Sequence, residues 1–275
     1  MTSSSGANFP ASLVLVGAGK MGGALLRGWL DLGLDAKRIR VIEPHPSAEL
    51  KALCSARGVA LGASDVAPEV LVLGVKPQML DEAAPQLATF VSEKTLILSI
   101  LAGKTIENLR ARLPRVRAVV RAMPNLAAAI GEGVTGAVAN ADVTDGQRKM
   151  ADALLKAVGK VQWLTDENLI DALTTISGSG PAYVFYLAEC LAEAARAAGL
   201  PAEMAARLSR ATVEGAGALL AASPDQSPAA LRESVTSRGG VTAAALEVLM
   251  GKDGLKPLLE KAVLAAKKRA GELSG

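Results

Sequence analysis

Aromatic side chains are scarce in this 275-residue chain, with Phe, Trp and Tyr making up 3% of it. Half of the residues are hydrophobic all the same, so the core must be built from Ala, Leu and Val. The length suits one large domain or two modest ones. Charge of one sign is also lacking: 30 Lys and Arg stand against 27 Asp and Glu, a formal net charge of +3. That balance gives no electrostatic case for nucleic acid as the main partner. The local exception, Arg110, Arg112, Arg115, Arg117 and Arg121, reads as a solvated face or a subunit contact. The two cysteines, Cys54 and Cys190, lack CxxC or zinc-ligand spacing; no metal site is indicated, and reduced thiols in a cytoplasmic protein are the expectation. The longest apolar helical stretch, Tyr183 to Leu200, carries Glu189, Glu193 and Arg196, which argues against a membrane span. Met1 to Pro10 is short and Ser-rich, has no secretory signal pattern, and is expected to be disordered. The single histidine, His45, lies between Pro44 and Pro46 in a turn, a place better suited to solvent or an adenosine edge than to acid–base chemistry.

What the sequence does contain is organised around Ser12 to Gly23. An apolar run, Leu13 to Val16, is followed at once by Gly17, Gly19 and Gly22, then by a helical pattern through Leu25, Leu26 and Trp29. Strand, glycine turn and helix in that order form a holder for a dinucleotide pyrophosphate. Gly17 would make the tight turn, Gly19 would let backbone approach phosphate, and Gly22 would let helix and strand pack closely. The helix N-terminus offers N–H groups and a partial positive charge. Glycines in such a turn can also serve packing alone. Roughly 20 residues on, Arg40-Val-Ile-Glu43 reads as a second strand ending in an acid placed to bond a ribose 2′-hydroxyl. Such an acid disfavours a 2′-phosphate. The alternative is that Glu43 only opens a turn and faces water.

Further strands are expected at Val59–Leu61, Val70–Val75, Leu96–Ile100 and Ala118–Arg121, with helices at Ala48–Arg57, Pro77–Phe90 and Ile106–Leu113. The alternation implies a parallel sheet covered on both faces, with ligands at the carboxyl ends of its strands. Three turns fall there: Val75-Lys76-Pro77, Ser99 to Gly103, and Ala122-Met-Pro-Asn125. Each either lines the nicotinamide half of a cofactor site or simply ends a strand. Less regular strands at Val134–Ala139 and Val161–Leu164 bracket a helix from Thr144 to Val158.

Past Leu164 only helical patterns remain, which sets a domain boundary there: residues 1–164 and 165–275. The helices are expected at Asp166–Ser177, Pro181–Ala198, Ala202–Ala222, Pro228–Thr236, Thr242–Met250 and Leu255–Leu273. They are Ala-rich and apolar over much of their surface, so they are expected to pack against a partner subunit. Ser177-Gly-Ser-Gly-Pro-Ala-Tyr183 joins two of them, with serines suited to N-capping and Pro181 to a first turn. Val235-Thr-Ser-Arg-Gly-Gly-Val-Thr242 places paired glycines before a new helix. It can hold a small carboxylate on backbone N–H groups or serve as a plain connector.

With these residues in hand, the chain resembles the pyrroline-5-carboxylate reductase family. The matching pieces are GAGKMG from Gly17, VKP from Val75, AMPN from Ala122, LIDALTTISGSGPAY ending at Tyr183, and VTSRGGVT ending at Thr242. The resemblance implies an α/β Rossmann-type dinucleotide-binding domain followed by an all-α dimerisation domain, in homodimers that assemble into higher rings. It implies NADPH- or NADH-dependent reduction of 1-pyrroline-5-carboxylate to L-proline. Gly17, Gly19, Lys20, Met21 and Gly22 would hold the pyrophosphate; Val75, Lys76, Pro77, Ala102 and Asn125 would surround the nicotinamide. Ser237, Gly239, Gly240 and Thr242 would hold the substrate, with Thr242 as the catalytic hydrogen-bonding group. The chain departs from the family pattern at Glu43 and His45, at Arg238 and Val241, and at Leu126 and Ala127. Family habit favours NADPH and Glu43 favours NADH. A β-hydroxyacid dehydrogenase would need a catalytic lysine in the helical half, and none occurs between Trp163 and Met250. A protein that senses a dinucleotide without turning it over would also satisfy the first half.

Overall fold

The computed structural model describes residues 8–274. Of the opening expected to be disordered, residues 1–7 lie outside that range, whereas Phe9 packs against the core and Pro10 is buried. In chain order the first half comprises β1 (Leu13–Val16), α1 (Lys20–Asp31), β2 (Ile39–Ile42), α2 (Ala48–Arg57), β3 (Ala60–Leu61) and β4 (Val70–Leu73). There follow α3 (Leu80–Phe90), β5 (Leu96–Ser99), α4 (Ile106–Arg112), β6 (Val119–Met123), β7 (Gly133–Ala139), α5 (Asp145–Lys156) and β8 (Gly159–Trp163). The helical remainder is α6 (Leu169–Ser177), α7 (Gly180–Ala197), α8 (Ala202–Ala222), α9 (Pro228–Ser234), α10 (Val241–Leu249) and α11 (Leu255–Ser274).

The strands form one sheet in the order β3-β2-β1-β4-β5-β6-β7-β8. β1 and β4 read as unbroken apolar runs because both of their faces are covered. Leu13 and Leu15 face a core shared with α1, α2 and α5, while Val14 and Val16 face one shared with α3 and α4. The order of connection reverses between β1 and β4, so a crevice opens at the carboxyl ends of those two strands. One strand departs from the expected parallel pattern. β7 runs antiparallel to β6, with Val120 opposite Ala139. The link between them is too short for a crossover helix, holding only a 3-10 segment at Leu126–Ile130.

The compact units divide at Gly178 and Ser179 rather than at Leu164, and the tail from Arg269 is grouped with the sheet. The contact boundary lies past the loss of strand pattern at Leu164 because α6 stays with the sheet. α6 belongs to the sheet because it packs on β7: a Cβ placed on Gly136 would lie 2.7 Å from Leu173. Arg121 of β6, only 4% exposed, fixes the same helix through Glu167 at 2.9 Å and Asp171 at 3.6 Å. Glu167 also accepts the N–H of Ile106 at the start of α4.

In the second unit α7 packs along α8, yet α7 buries no residue and α8 buries only Ala205 and Ser209. Phe185, Tyr186, Leu208, Val248 and Leu264 are all exposed. Four helices' worth of apolar surface without a core of its own calls for a covering partner. Among the described residues no helix is long and apolar enough to cross a membrane.

α1 and α5 make the closest helix contact on the sheet's first face. The indole Nε1 of Trp29 donates to the Leu154 carbonyl at 2.8 Å, and a Cβ on neighbouring Gly28 would sit 2.5 Å from the Ala157 carbonyl oxygen. Helix propensity alone favours Ala at position 28 by about 1 kcal/mol. Backbone cannot retreat as a side chain can, so overpacking of about 1–3 kcal/mol should outweigh that gain. Gly28→Ala is therefore expected to lower the urea midpoint, and an unchanged or higher midpoint would count against this packing.

Candidate active site

Everything at the crevice starts from Gly17. Its φ is +86°, in the left-handed region, and its Cβ would lie 2.5 Å from the Val75 nitrogen and 2.7 Å from the Gly74 carbonyl carbon. Only glycine satisfies both conditions. The N–H of Gly17 donates to the Ile42 carbonyl at 2.9 Å, and that of Gly74 to Val16 at 2.8 Å. Gly22 is required for another reason: its Cβ would meet the Gly17 carbonyl oxygen at 2.2 Å. Gly19 differs from both. No atom lies within 4 Å of its would-be Cβ, and its φ of −66° is open to any residue. Neither a close neighbour nor a left-handed backbone asks for glycine there, and the space over the start of α1 is left open.

Gly19 is the N-cap of α1, which has no side-chain cap and no acid in its first turn. A bare helix N-terminus beside an open glycine fits the pyrophosphate of a dinucleotide. Lys20 and Met21 form the first turn of that helix. Next to it opens a cleft of about 450 Å³, lined by Ala18, Gly19, Lys20, Arg27, Glu43, His45, Ser47 and Glu49. Glu43 does not merely face water: its Oε2 accepts the Ala18 N–H at 3.0 Å and its Oε1 accepts the His45 N–H at 3.3 Å. Ser47 caps α2 by accepting the Leu50 N–H at 3.1 Å. Arg27 pairs with Glu49 at 3.2 Å. Ser47, Arg27 and Glu49 carry no local signal for this cleft, because they are placed by the start of α2 meeting the flank of α1.

At the other strand ends, Val75 lies against the glycine turn, and Lys76 caps the short 3-10 turn Pro77–Met79, with Pro77 at its first position. Ala102 is exposed on the turn after β5. The structure thus gathers the expected dinucleotide residues on one edge of the sheet. Asn125 has a further job. Its Nδ2 donates to the Ser177 carbonyl at 2.9 Å and its Oδ1 accepts the Val134 N–H at 3.0 Å. Asn125, 8% exposed, thus ties the end of β6 to β7 and to α6.

The helical unit carries the paired-glycine turn. Gly239 has φ +68°, and the Gly240 N–H donates to the Ser237 carbonyl at 3.0 Å. A Cβ on Gly240 would strike the Ser237 hydroxyl at 2.4 Å. The two glycines therefore serve different needs, one conformational and one steric. Gly240 is the N-cap of α10 with no side-chain cap, and Thr242 lies exposed in the first turn of that helix. A carboxylate can be held there by backbone N–H groups alone. The serines of the earlier turn do not cap as expected: Ser179 makes no capping bond, because it keeps a right-handed helical conformation between α6 and α7.

The arginine cluster is largely matched by acids. Arg110 faces Asp142 at 4.0 Å, Arg117 pairs with Glu93 at 3.3 Å, and Arg121 is held as described. The hydrogen bond from Arg112 holds the Asp81 carboxyl below its ordinary range. Burial pushes the Cys54 thiol up, away from the thiolate.

The chain is 40% identical over 265 residues to the pyrroline-5-carboxylate reductase of Pseudomonas aeruginosa, covering 95% of this chain and 96% of that protein. It belongs to the pyrroline-5-carboxylate reductase family. Residues 167–273 match the model for pyrroline-5-carboxylate reductase dimerisation, which accounts for the coreless helical face as a homodimer surface. Residues 12–103 match a model described as NADP oxidoreductase, coenzyme F420-dependent. A solved pyrroline-5-carboxylate reductase from Coxiella burnetii superposes with a TM-score of 0.89 at 35% identity, covering 97% of this chain and 99% of that one. A Plasmodium falciparum pyrroline carboxylate reductase with NADP bound gives 0.75 at 26% identity, over 96% and 98%. The family is NAD(P)-dependent, and the open Gly19 and bare α1 terminus fit that cofactor.

Gly19→Ala separates cofactor binding from folding. An Ala N-cap should cost no more than about 1 kcal/mol of stability, whereas dinucleotide affinity should fall at least about tenfold as the methyl enters the phosphate space. Urea unfolding and a binding titration on the same preparation check this; undiminished affinity would refute the assignment.

Proposed function

We propose that the chain reduces the C=N bond of 1-pyrroline-5-carboxylate to L-proline with NADH or NADPH. The observation that carries this is the open glycine at the bare N-terminus of α1, in a chain that also presents a second bare N-terminus at the paired-glycine turn of α10. The first suits a pyrophosphate and the second a small carboxylate. A bound reduced nicotinamide supplies the hydride. The substrate's own chemistry asks little else. Its protonated imine already carries the positive charge; addition at the ring carbon forms a C–H bond, moves the π pair to nitrogen and discharges it.

No strong acid is then needed, and the chain's task is positioning, which can lower the barrier by about 7–11 kcal/mol. Gly239 and Gly240 shape the turn that orients the carboxylate, with Ser237 beside it. Thr242 offers a hydroxyl that can bond the ring nitrogen as its charge changes, with water as the proton source in bulk. Around the nicotinamide, Val75, Lys76, Pro77, Ala102 and Asn125 set the shape of the edge. The same reading carries a cytoplasmic setting, consistent with the unpaired thiols of Cys54 and Cys190, and assembly of dimers into higher rings.

The test is oxidation of NADH and NADPH, followed at the nicotinamide band, with 1-pyrroline-5-carboxylate as substrate. Thr242→Ala should lower kcat by about 10–100-fold, the worth of one hydrogen bond to a charged group, and leave the dissociation constant of the dinucleotide unchanged. Full turnover in that variant would remove Thr242 from the mechanism, and no oxidation by the wild type would remove the proposed reaction.

A further inference from the structure

The cleft beside the glycine turn contains an acid held so firmly that it should choose between the two cofactors. Glu43 stands at the carboxyl end of β2, where its Oε2 accepts the Ala18 N–H at 3.0 Å and its Oε1 accepts the His45 N–H at 3.3 Å. The carboxylate is therefore clamped between the turn before α1 and the loop after β2, and cannot swing away from an incoming ligand without breaking both bonds. Glu43 lines the cleft, and the two oxygens of a carboxylate have acceptor capacity beyond these two bonds. An ionised carboxylate only accepts hydrogen bonds, so ribose hydroxyls satisfy it and a phosphate does not.

Accommodating a 2′-phosphate would require a cation to offset that repulsion. Arg27 is already paired with Glu49 at 3.2 Å. Lys20 sits in the first turn of α1, where the pyrophosphate brings negative charge of its own. His45 is exposed on its loop, and its backbone N–H is engaged by Glu43. The formal charges of Lys20 and Arg27 thus only offset those of Glu43 and Glu49, so the cleft holds no excess of lysine or arginine to set against an added dianion.

We propose that Glu43 makes this chain select NADH over NADPH, by bonding the unmodified adenosine ribose and repelling a 2′-phosphate. The inference rests on the dinucleotide reading above and runs opposite to the NADP named in the matched model. It is tested by binding, with no imine present. Dissociation constants for NADH and NADPH are read from the fluorescence of the reduced nicotinamide on the full chain, at one fixed ionic strength. Competition by 5′-AMP and by adenosine 2′,5′-bisphosphate locates any difference at the ribose.

The wild type should bind NADH at least about tenfold tighter than NADPH, as expected for a carboxylate within a few ångströms of a phosphate in water-exposed surroundings. Glu43→Gln keeps the size and one acceptor while removing the charge. It should narrow the ratio chiefly by tightening NADPH, and the two adenosine nucleotides should shift in the same sense. Equal or tighter binding of NADPH by the wild type overturns the selection. A ratio unmoved by Glu43→Gln overturns the role of Glu43. Failure of both cofactors to bind removes the dinucleotide reading itself, an outcome distinct from a reversed preference.

Discussion

The absence of room for a single carbon at position 17 governs the functional edge of this molecule. A Cβ there would fall inside the backbone of Gly74 and Val75, and one on Gly22 would fall on the carbonyl of Gly17. Three backbone segments, from the ends of β1 and β4 and the first turn of α1, therefore meet with no side chain between them. That closeness brings the N-terminus of α1 over the crevice where strand order reverses. It also leaves Gly19 facing outward with nothing against it. The geometry of this edge follows from the packing of Gly17 and Gly22.

Much of this was legible in the sequence because its determinants are local. Apolar runs such as Leu13–Val16 and Val70–Leu73 announce buried strands, and the glycine spacing announces the turn. What was not legible depends on contacts between distant residues. The antiparallel β7 follows from a connection too short to cross over, and its strands look no different in composition from parallel ones. Arg121 reads as one of five clustered arginines until Glu167 and Asp171 fold against it. Asn125 looks like a pocket residue, yet its amide bridges Val134 and Ser177. The placement of α6 with the sheet rests on Leu173 filling the space over Gly136, which no period in α6 itself reveals.

The helical half shows the opposite balance of local and assembled order. Its helices are specified by pattern, and α9 also by a cap, Ser227 accepting the Ala230 N–H at 3.1 Å. Its tertiary burial is nearly absent, so its stability is bound to its partner and to protomer concentration. The groove of about 400 Å³ between α7 and α8, lined by Val184, Phe185, Ala188 and Val213, belongs to that apolar face.

The central claim is that one chain holds a dinucleotide at α1 and a small cyclic acid at the α10 turn. A crystal structure of the full protein with oxidised dinucleotide and L-proline tests it most directly. The account predicts pyrophosphate on the N–H groups following Gly19, and the proline carboxylate on the turn from Ser237 to Thr242. Proline lodged away from that turn, or pyrophosphate away from α1, would contradict it.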